Sequence, residues 1–321
     1  MNPPVPLSRW CGTSRDPRVF DYDGVLRLGI HTFTSGSLEK AALRASDLGA
    51  NTFQIFSASP RMWRARAPDP HQVRLLKGAR ERFDLRPLAI HANYLINLAS
   101  LNPAVRANSI AAFRGELERT TAIGAEYLVM HPGSCRGQPV EESISALALG
   151  LKEATKNLRN PGLTVLLENT AGSGACLGSR LEELRSIREA VLELMDLPIG
   201  YCLDTCHLLA AGFDIASEAG LRSTILAIQR SIGLAHVHLI HANDSKTPRG
   251  SRVDRHAHIG AGHIGPEGFR RILTHPQLRR KPFILETPID NPGDDRRNLE
   301  TLKRLADRFE SQPRRDRAAR N

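Results

Sequence analysis

Eight short runs rich in apolar and β-branched residues recur along the chain, each followed by a longer segment patterned as a helix. The runs are VLRLGIHTF (25–33), NTFQIFS (51–57), PLAIHAN (87–93), EYLVMHPG (126–133), LTVLLENT (163–170), IGYCLDTCH (199–207), LAHVHLIHAND (234–244) and PFILETP (282–288). The intervening segments, such as SLEKAALRASDLGA (37–50) and PAVRANSIAAFRGELERTTAIGA (103–125), carry apolar residues three and four apart and a Gly near the C-terminal end. That is the pattern of crossover helices with ordinary stop signals. Eight alternating β–α units predict a parallel sheet closed on itself, a (β/α)₈ TIM barrel. An open, doubly wound sheet would place a Gly-rich phosphate loop after its first strand, and GIHTFTSGS does not supply G-x-G-x-x-G.

No repeat beyond the β–α period and no low-complexity linker interrupts residues 25–305, so one barrel domain is expected there. Residues 1–24 lack the continuous apolar core of a secretory signal and read as a disordered arm. Residues 306–321, ending SQPRRDRAARN, read as a basic flexible tail that adds non-specific affinity for nucleic acid. At 41% hydrophobic and 24% charged residues the composition is that of a soluble globular protein, and no stretch is apolar enough for a membrane span. Lys and Arg exceed Asp and Glu by 44 to 34, a net charge of +10 that favours a polyanionic partner. The odd set of five cysteines (Cys11, Cys135, Cys176, Cys202, Cys206) forms no disulfide framework, which fits a reducing cytoplasm, and Cys202 and Cys206 read as small buried residues.

The candidate chemistry lies at the C-terminal ends of the strands, the active-site face of such a barrel. His91, His131, Glu168, Asp204, His241 and Glu286 end six consecutive strands, three to eight. Strand parity sends His241 into the barrel along with Ala235, Val237 and Leu239, and turns His236 and His238 toward the helices. DTCH (204–207) adds His207 on a turn after Asp204, and DRH (254–256) adds Asp254 and His256 from an extended loop. A lone His or Glu at a strand end is usually a hydrogen-bonded surface group. Carboxylates converging from several strands without a cation, however, would repel one another. Nine N/O donors exceed what one metal can use and suit two or three divalent ions, an arrangement fitted to phosphoryl chemistry. His31 ends the first strand with no role assigned.

The motifs HANYLINLAS (91–100), MHPGS (130–134), LLENTAGSG (166–174), CLDTCHLLAAGFD (202–214), HANDSK (241–246), SRVDRHAHIGAGHIG (251–265) and FILETP (283–288) follow one another in an order that resembles endonuclease IV, the zinc apurinic/apyrimidinic endonuclease of base excision repair. The resemblance covers about residues 25–305. It implies three zinc ions per chain, with manganese able to replace part. His91, His131 and Glu168 would hold the first, and Glu168 would bridge to a second completed by Asp204, His241 and Glu286. His207, Asp254 and His256 would hold the third. It further implies that a hydroxide between the first two ions attacks the phosphate 5′ to an abasic sugar, with Glu168 and Glu286 as catalytic residues, leaving 3′-hydroxyl and 5′-deoxyribose phosphate ends. Arg61, Tyr94 and Leu95 match the positions that enter the stack when the abasic nucleotide is expelled. The implied partner is double-stranded DNA with abasic or 3′-blocked lesions, met by a cytoplasmic monomer. Sugar isomerases and epimerases share the barrel but use one or two metals, so DTCH and DRH would be superfluous there. A structural zinc protein would show closed, thiolate-rich sites instead.

Overall fold

A computed structural model describes residues 24–158 and 162–307. Apart from Gly24, Ala306 and Asp307, the expected arm and basic tail lie outside the described residues. The strands are β1 (Leu28–His31), β2 (Thr52–Phe56), β3 (Leu88–His91), β4 (Tyr127–Met130), β5 (Thr164–Glu168), β6 (Ile199–Asp204), β7 (Val237–His241), β8 (Asp244–Ser245), β9 (His256–Ala257) and β10 (Phe283–Leu285). The helices are α1 (Leu38–Asp47), α2 (Pro70–Arg82), α3 (Pro103–Ile123), α4 (Val140–Thr155), α5 (Leu181–Leu194), α6 (Thr205–Ala211), α7 (Glu218–Ser231), α8 (Gly265–Thr274) and α9 (Asp294–Asp307). Strands β1 to β7 and β10 pair in parallel and close into a barrel in which β10 returns to β1. All eight predicted strands are present, and the doubly wound alternative is excluded by closure. No helix among the described residues is long and apolar enough to cross a membrane.

Side chains that start helices do so by satisfying free N–H groups. Ser37, Asp69, Asn102 and Ser217 each accept from the first turn of α1, α2, α3 and α7, and Pro70 and Pro103 occupy the first helical positions, where a missing N–H does no harm. Gly124 ends α3 in the left-handed region, as the stop signal predicts. Alternate strand residues divide between two buried sets. Ala89, Tyr127, Val129, Leu166, Cys202, Leu239 and Ile284 fill the barrel interior, while their neighbours join the larger core between sheet and helices.

Parity fails at one place. The β6–β7 register shifts between Tyr201 and Cys202, which pair with Val237 and Leu239 and leave His238 as an inserted residue. Below this irregularity the faces exchange, as one extra residue in a period of two requires. Val237 therefore joins the outer core, and Ala235 is exposed in a short 3₁₀ turn over Leu234–His236. His238 does not turn to the helices; it lies against interior Tyr127, ring centroids 6.0 Å apart. His236 does face the helices, 3.4 Å from Arg188 of α5. His241, above the shift, keeps the predicted orientation.

Candidate metal centre

All nine predicted ligand residues reach one rim of the barrel. His91, Glu168, Asp204 and His241 are the last residues of β3, β5, β6 and β7, and His131 and Glu286 follow β4 and β10 directly. Asp204 and His241 are register partners on adjacent strands. Asp204 also caps α6 by accepting from the His207 N–H at 2.7 Å, so the three-residue spacing of DTCH is the first turn of a helix. His256 arrives on a two-strand antiparallel ribbon, β8–β9, whose base is held by a buried carboxylate. Asp244 accepts N–H bonds from Gly260, Gly262 and Ile264 at 2.9–3.0 Å, which fixes the glycine-rich loop beyond β9. After His131 the chain turns at Gly133, whose φ is +95°. A Cβ there would meet Asn97 Oδ1 at 2.2 Å, so only glycine lets the loop close on the Asn97 amide.

The donor atoms fall into groups lying within 4.8 Å of one another: His91, His131 and Glu168; Glu168, Asp204, His241 and Glu286; and His207, Asp254 and His256. Glu168 belongs to two of them. Its Oε2 is 3.2 Å from Nε2 of both His91 and His131, and its Oε1 is 3.0 Å from Nδ1 of His241. His241 Nδ1 is also 3.2 Å from Glu286 Oε2. In the last group Asp254 offers Oδ2 to His207 Nε2 at 3.1 Å and Oδ1 to His256 Nε2 at 3.2 Å. Two donors on a four-coordinate first-row cation with bonds of about 2.0–2.1 Å stand about 3.3–3.4 Å apart, close to these separations.

Hydrogen bonds on the far side of each ring decide which nitrogen is free. Nδ1 of His91, His207 and His256 donates to the main-chain oxygens of Ala92, Asn169 and Glu286 at 2.8, 2.9 and 3.0 Å, which leaves each Nε2 turned inward. Nε2 of His207 and of His256 are buried and hydrogen-bonded to nothing, so both lone pairs suit a cation shared with Asp254. Electrostatics agree. Burial pushes the Glu168 carboxyl up, but His241 and His131 outweigh it and hold it well below the ordinary range. Burial also lifts Asp254 and Glu286, yet His207 and His256 bring the first down, and His241 and His31 the second. Burial lowers His256, but Asp254 and Asp204 raise it to about 9. His207 and His241 are likewise depressed by burial and raised well above it, the former by Asp204, the latter first by Cys202 and then Glu286.

Several residues beyond the predicted set complete the site. Gln54, in the middle of β2 and fully buried, contacts His31, His241 and Glu286. His31, left without a role by the sequence, lies 3.5 Å from Glu286. Asn243 donates to Asp204 Oδ2 at 2.6 Å and accepts from the Glu286 N–H at 2.8 Å. A polar residue of inward parity inside an apolar run, as Gln54 is in NTFQIFS, was the available signal. Cys202 and Cys206 are buried as expected, and Cys206 also comes within 4.8 Å of Asp204 and His256.

The predicted DNA-contacting residues stand around the rim. Tyr94, 58% exposed, packs over His91 and Phe56 at ring-centroid distances of 5.3 and 5.4 Å, and Leu95 is exposed beside it. Arg61 is exposed on the loop between β2 and α2. Asn93 ties the two loops together by accepting from the Leu95 N–H at 2.7 Å and donating to the Met62 main-chain oxygen. Beside the donors opens a cleft of about 390 Å³, bounded by His31, Phe33, Phe56, Tyr94 and Ile289.

Residues 42–308 match the family model of xylose isomerase-like TIM barrels. A probable endonuclease 4 from Solibacter usitatus is 72% identical over 88% of this chain and 97% of its own length. One from Halothermothrix orenii is 40% identical over 82% and 94%. Among solved structures, endonuclease IV from Thermus thermophilus superposes with a TM-score of 0.77 at 37% identity, covering 88% of this chain and 99% of that one. A D-tagatose 3-epimerase-like protein, 20% identical with a TM-score of 0.67 over 88% and 98%, shares the fold alone. The rim of clustered imidazole and carboxylate donors and these relatives together place the chain in the endonuclease IV family.

Proposed function

We propose that this endonuclease hydrolyses the phosphodiester 5′ to abasic sites in double-stranded DNA, leaving 3′-hydroxyl and 5′-deoxyribose phosphate ends, and that it also clears 3′-blocked ends. The observation that carries the reading is the division of Glu168: each of its oxygens serves a different donor group, with the His207–Asp254–His256 group adjoining. The imidazole and carboxylate donors fit zinc, with manganese acceptable in part, and the three groups fit three ions. Bound there, such ions would neutralise phosphate charge and make water acidic enough to attack at neutral pH. The chain itself would do the rest. Glu168 and Glu286 hold the donor groups in register, the cleft takes the abasic sugar, and Tyr94, Leu95 and Arg61 fill the gap in the stack. The work is that of a cytoplasmic monomer acting at the nucleoid, and the net charge of +10 favours its encounter with DNA.

An oligonucleotide duplex with one tetrahydrofuran abasic analogue tests this. The zinc-loaded chain should cut it once, 5′ to the analogue, to give an end a polymerase can extend. Glu168→Gln should abolish the cut. A zinc-loaded wild type that leaves the duplex intact, or a fully active Glu168→Gln variant, overturns the reading.

A further inference from the structure

We infer that Gln54 is a positioning residue that sets the ring orientation of His241 and the carboxylate of Glu286, and so presets the donor group shared by Glu168, Asp204, His241 and Glu286. The inference rests on the metal reading proposed above. The Gln54 amide has one orientation available. Its Nε2 lies 2.6 Å from Glu286 Oε1, and a carboxylate can only accept, so nitrogen must face it. The amide oxygen then faces His241 Nε2 at 3.0 Å, and because that oxygen can only accept, His241 Nε2 carries a proton. The free nitrogen of His241 is therefore Nδ1, the atom 3.0 Å from Glu168 Oε1 and 3.2 Å from Glu286 Oε2. The second amide hydrogen goes to His31 Nδ1 at 3.0 Å, which orients that ring as well.

His241 differs in this from its neighbours. His91, His207 and His256 are held through Nδ1 by main-chain oxygens, which no substitution removes. His241 is held through the opposite nitrogen by a side chain, that of Gln54, which is fully buried and is the register partner of His31. Loss of such an outer partner typically weakens a metal site roughly 10–100-fold.

The test uses the full chain as wild type, Gln54→Met and Gln54→Glu, stripped with chelator and titrated with Zn²⁺ against a chromophoric competitor. Imidazole ¹⁵N spectra of the loaded forms are recorded beside them. In wild type, His241 should show a protonated Nε2 and a metal-bound Nδ1. Gln54→Met should weaken one class of zinc about 10–100-fold, leave the other classes unchanged and lose the single His241 signature. Its incision kcat should fall with KM for DNA unchanged. Gln54→Glu keeps an acceptor for His241 but sets a like charge against Glu286; it should keep the His241 signature and still bind that zinc weakly. Wild-type zinc affinity at every class in both variants overturns the inference and leaves the proposed function standing. A wild type that binds no zinc overturns both. One that binds zinc but does not incise abasic DNA overturns the function alone.

Discussion

His207 Nε2 and Asp254 Oδ2 face each other at 3.1 Å, although the imidazole atom is buried and hydrogen-bonded to nothing and the Asp254 side chain is about half exposed. With Nδ1 already donating to Asn169, Nε2 is left to hold either a proton or a cation, and the Asp254 carboxylate facing it stabilises both. Asp254→Asn should then lower bound metal by one equivalent per chain and incision kcat by roughly 10²-fold, while the half-exposed position leaves the fold intact. Metal analysis of purified protein with single-turnover kinetics decides it. Full stoichiometry in the variant would show that Asp254 holds no ion.

Protons and cations compete for the same lone pairs, which fixes the direction of the pH dependence. Burial lowers His256, but Asp254 and Asp204 raise it to about 9, and His207 is raised well above its ordinary value, with Asp204 outweighing its burial. Below about 9 the His256 ring holds a proton that an incoming ion must displace. Zinc affinity should thus weaken steadily as pH falls from 9 to 6, and loading at pH 7 in weak buffer should release protons. The metal-free protein should behave in the opposite sense. A histidine raised in the folded state stabilises fully below its ordinary 6.5 and ceases to do so as pH rises through about 9, so melting of the metal-free form should drop across that window. Proton-neutral zinc binding would contradict the first expectation, and a flat melting curve the second.

The barrel was legible because buried strands alternate with amphipathic helices, and that alternation needs no tertiary information. The rim was legible for a related reason: one charged or imidazole tip such as Glu168 or His241 closing an apolar run is ordinary, but six on consecutive strands converge, and their carboxylates would repel one another without a cation. What parity could not reveal was where the period breaks. His238 enters the interior because β7 carries one residue more than β6 at that level, a fact of pairing between strands rather than of either strand alone. Gln54 and Asn243 stayed hidden for the complementary reason. Each matters only through the partners it meets, Glu286 and His241 for the first and Asp204 for the second, and these lie far away in the chain. The arrangement of Asp254 and His256 is set by a ribbon pinned on Asp244, and their spacing hinted at it without fixing its geometry.

Tyr94 and Arg61 are exposed, which separates their effect on DNA from any effect on the fold. Stacking of a base on an aromatic ring contributes about 1–3 kcal/mol, so Tyr94→Ala should lower kcat/KM for abasic duplex roughly 10–100-fold. Thermal stability and metal content should stay those of wild type. Arg61→Ala should retain reduced incision. Stopped-flow incision at several salt concentrations measures both, and a Tyr94→Ala enzyme with wild-type kcat/KM would remove the ring from the DNA interface.

The loop that presents Arg61 starts from a buried charge network, which turns a stability measurement into a probe of the DNA face. Ser57, directly after β2, donates to Glu116 Oε2 at 2.5 Å and accepts from Arg119 Nε at 2.7 Å. Glu116 and Arg119 of α3 are only 5% and 9% exposed, 3.0 Å apart. Removing one member of a buried pair strands the other charge and typically costs about 3–5 kcal/mol, whereas replacing both by apolar residues is often neutral. Glu116→Ala should therefore destabilise by about that amount in denaturant titration. The Glu116→Met, Arg119→Met double variant should recover most of the loss. Ser57 would still lack its anchors in the double variant, so incision should show a raised KM for abasic duplex although the fold and bound metal are restored. A double variant with wild-type KM would mean that the network holds α3 against β2 and has no part in placing the Arg61 loop.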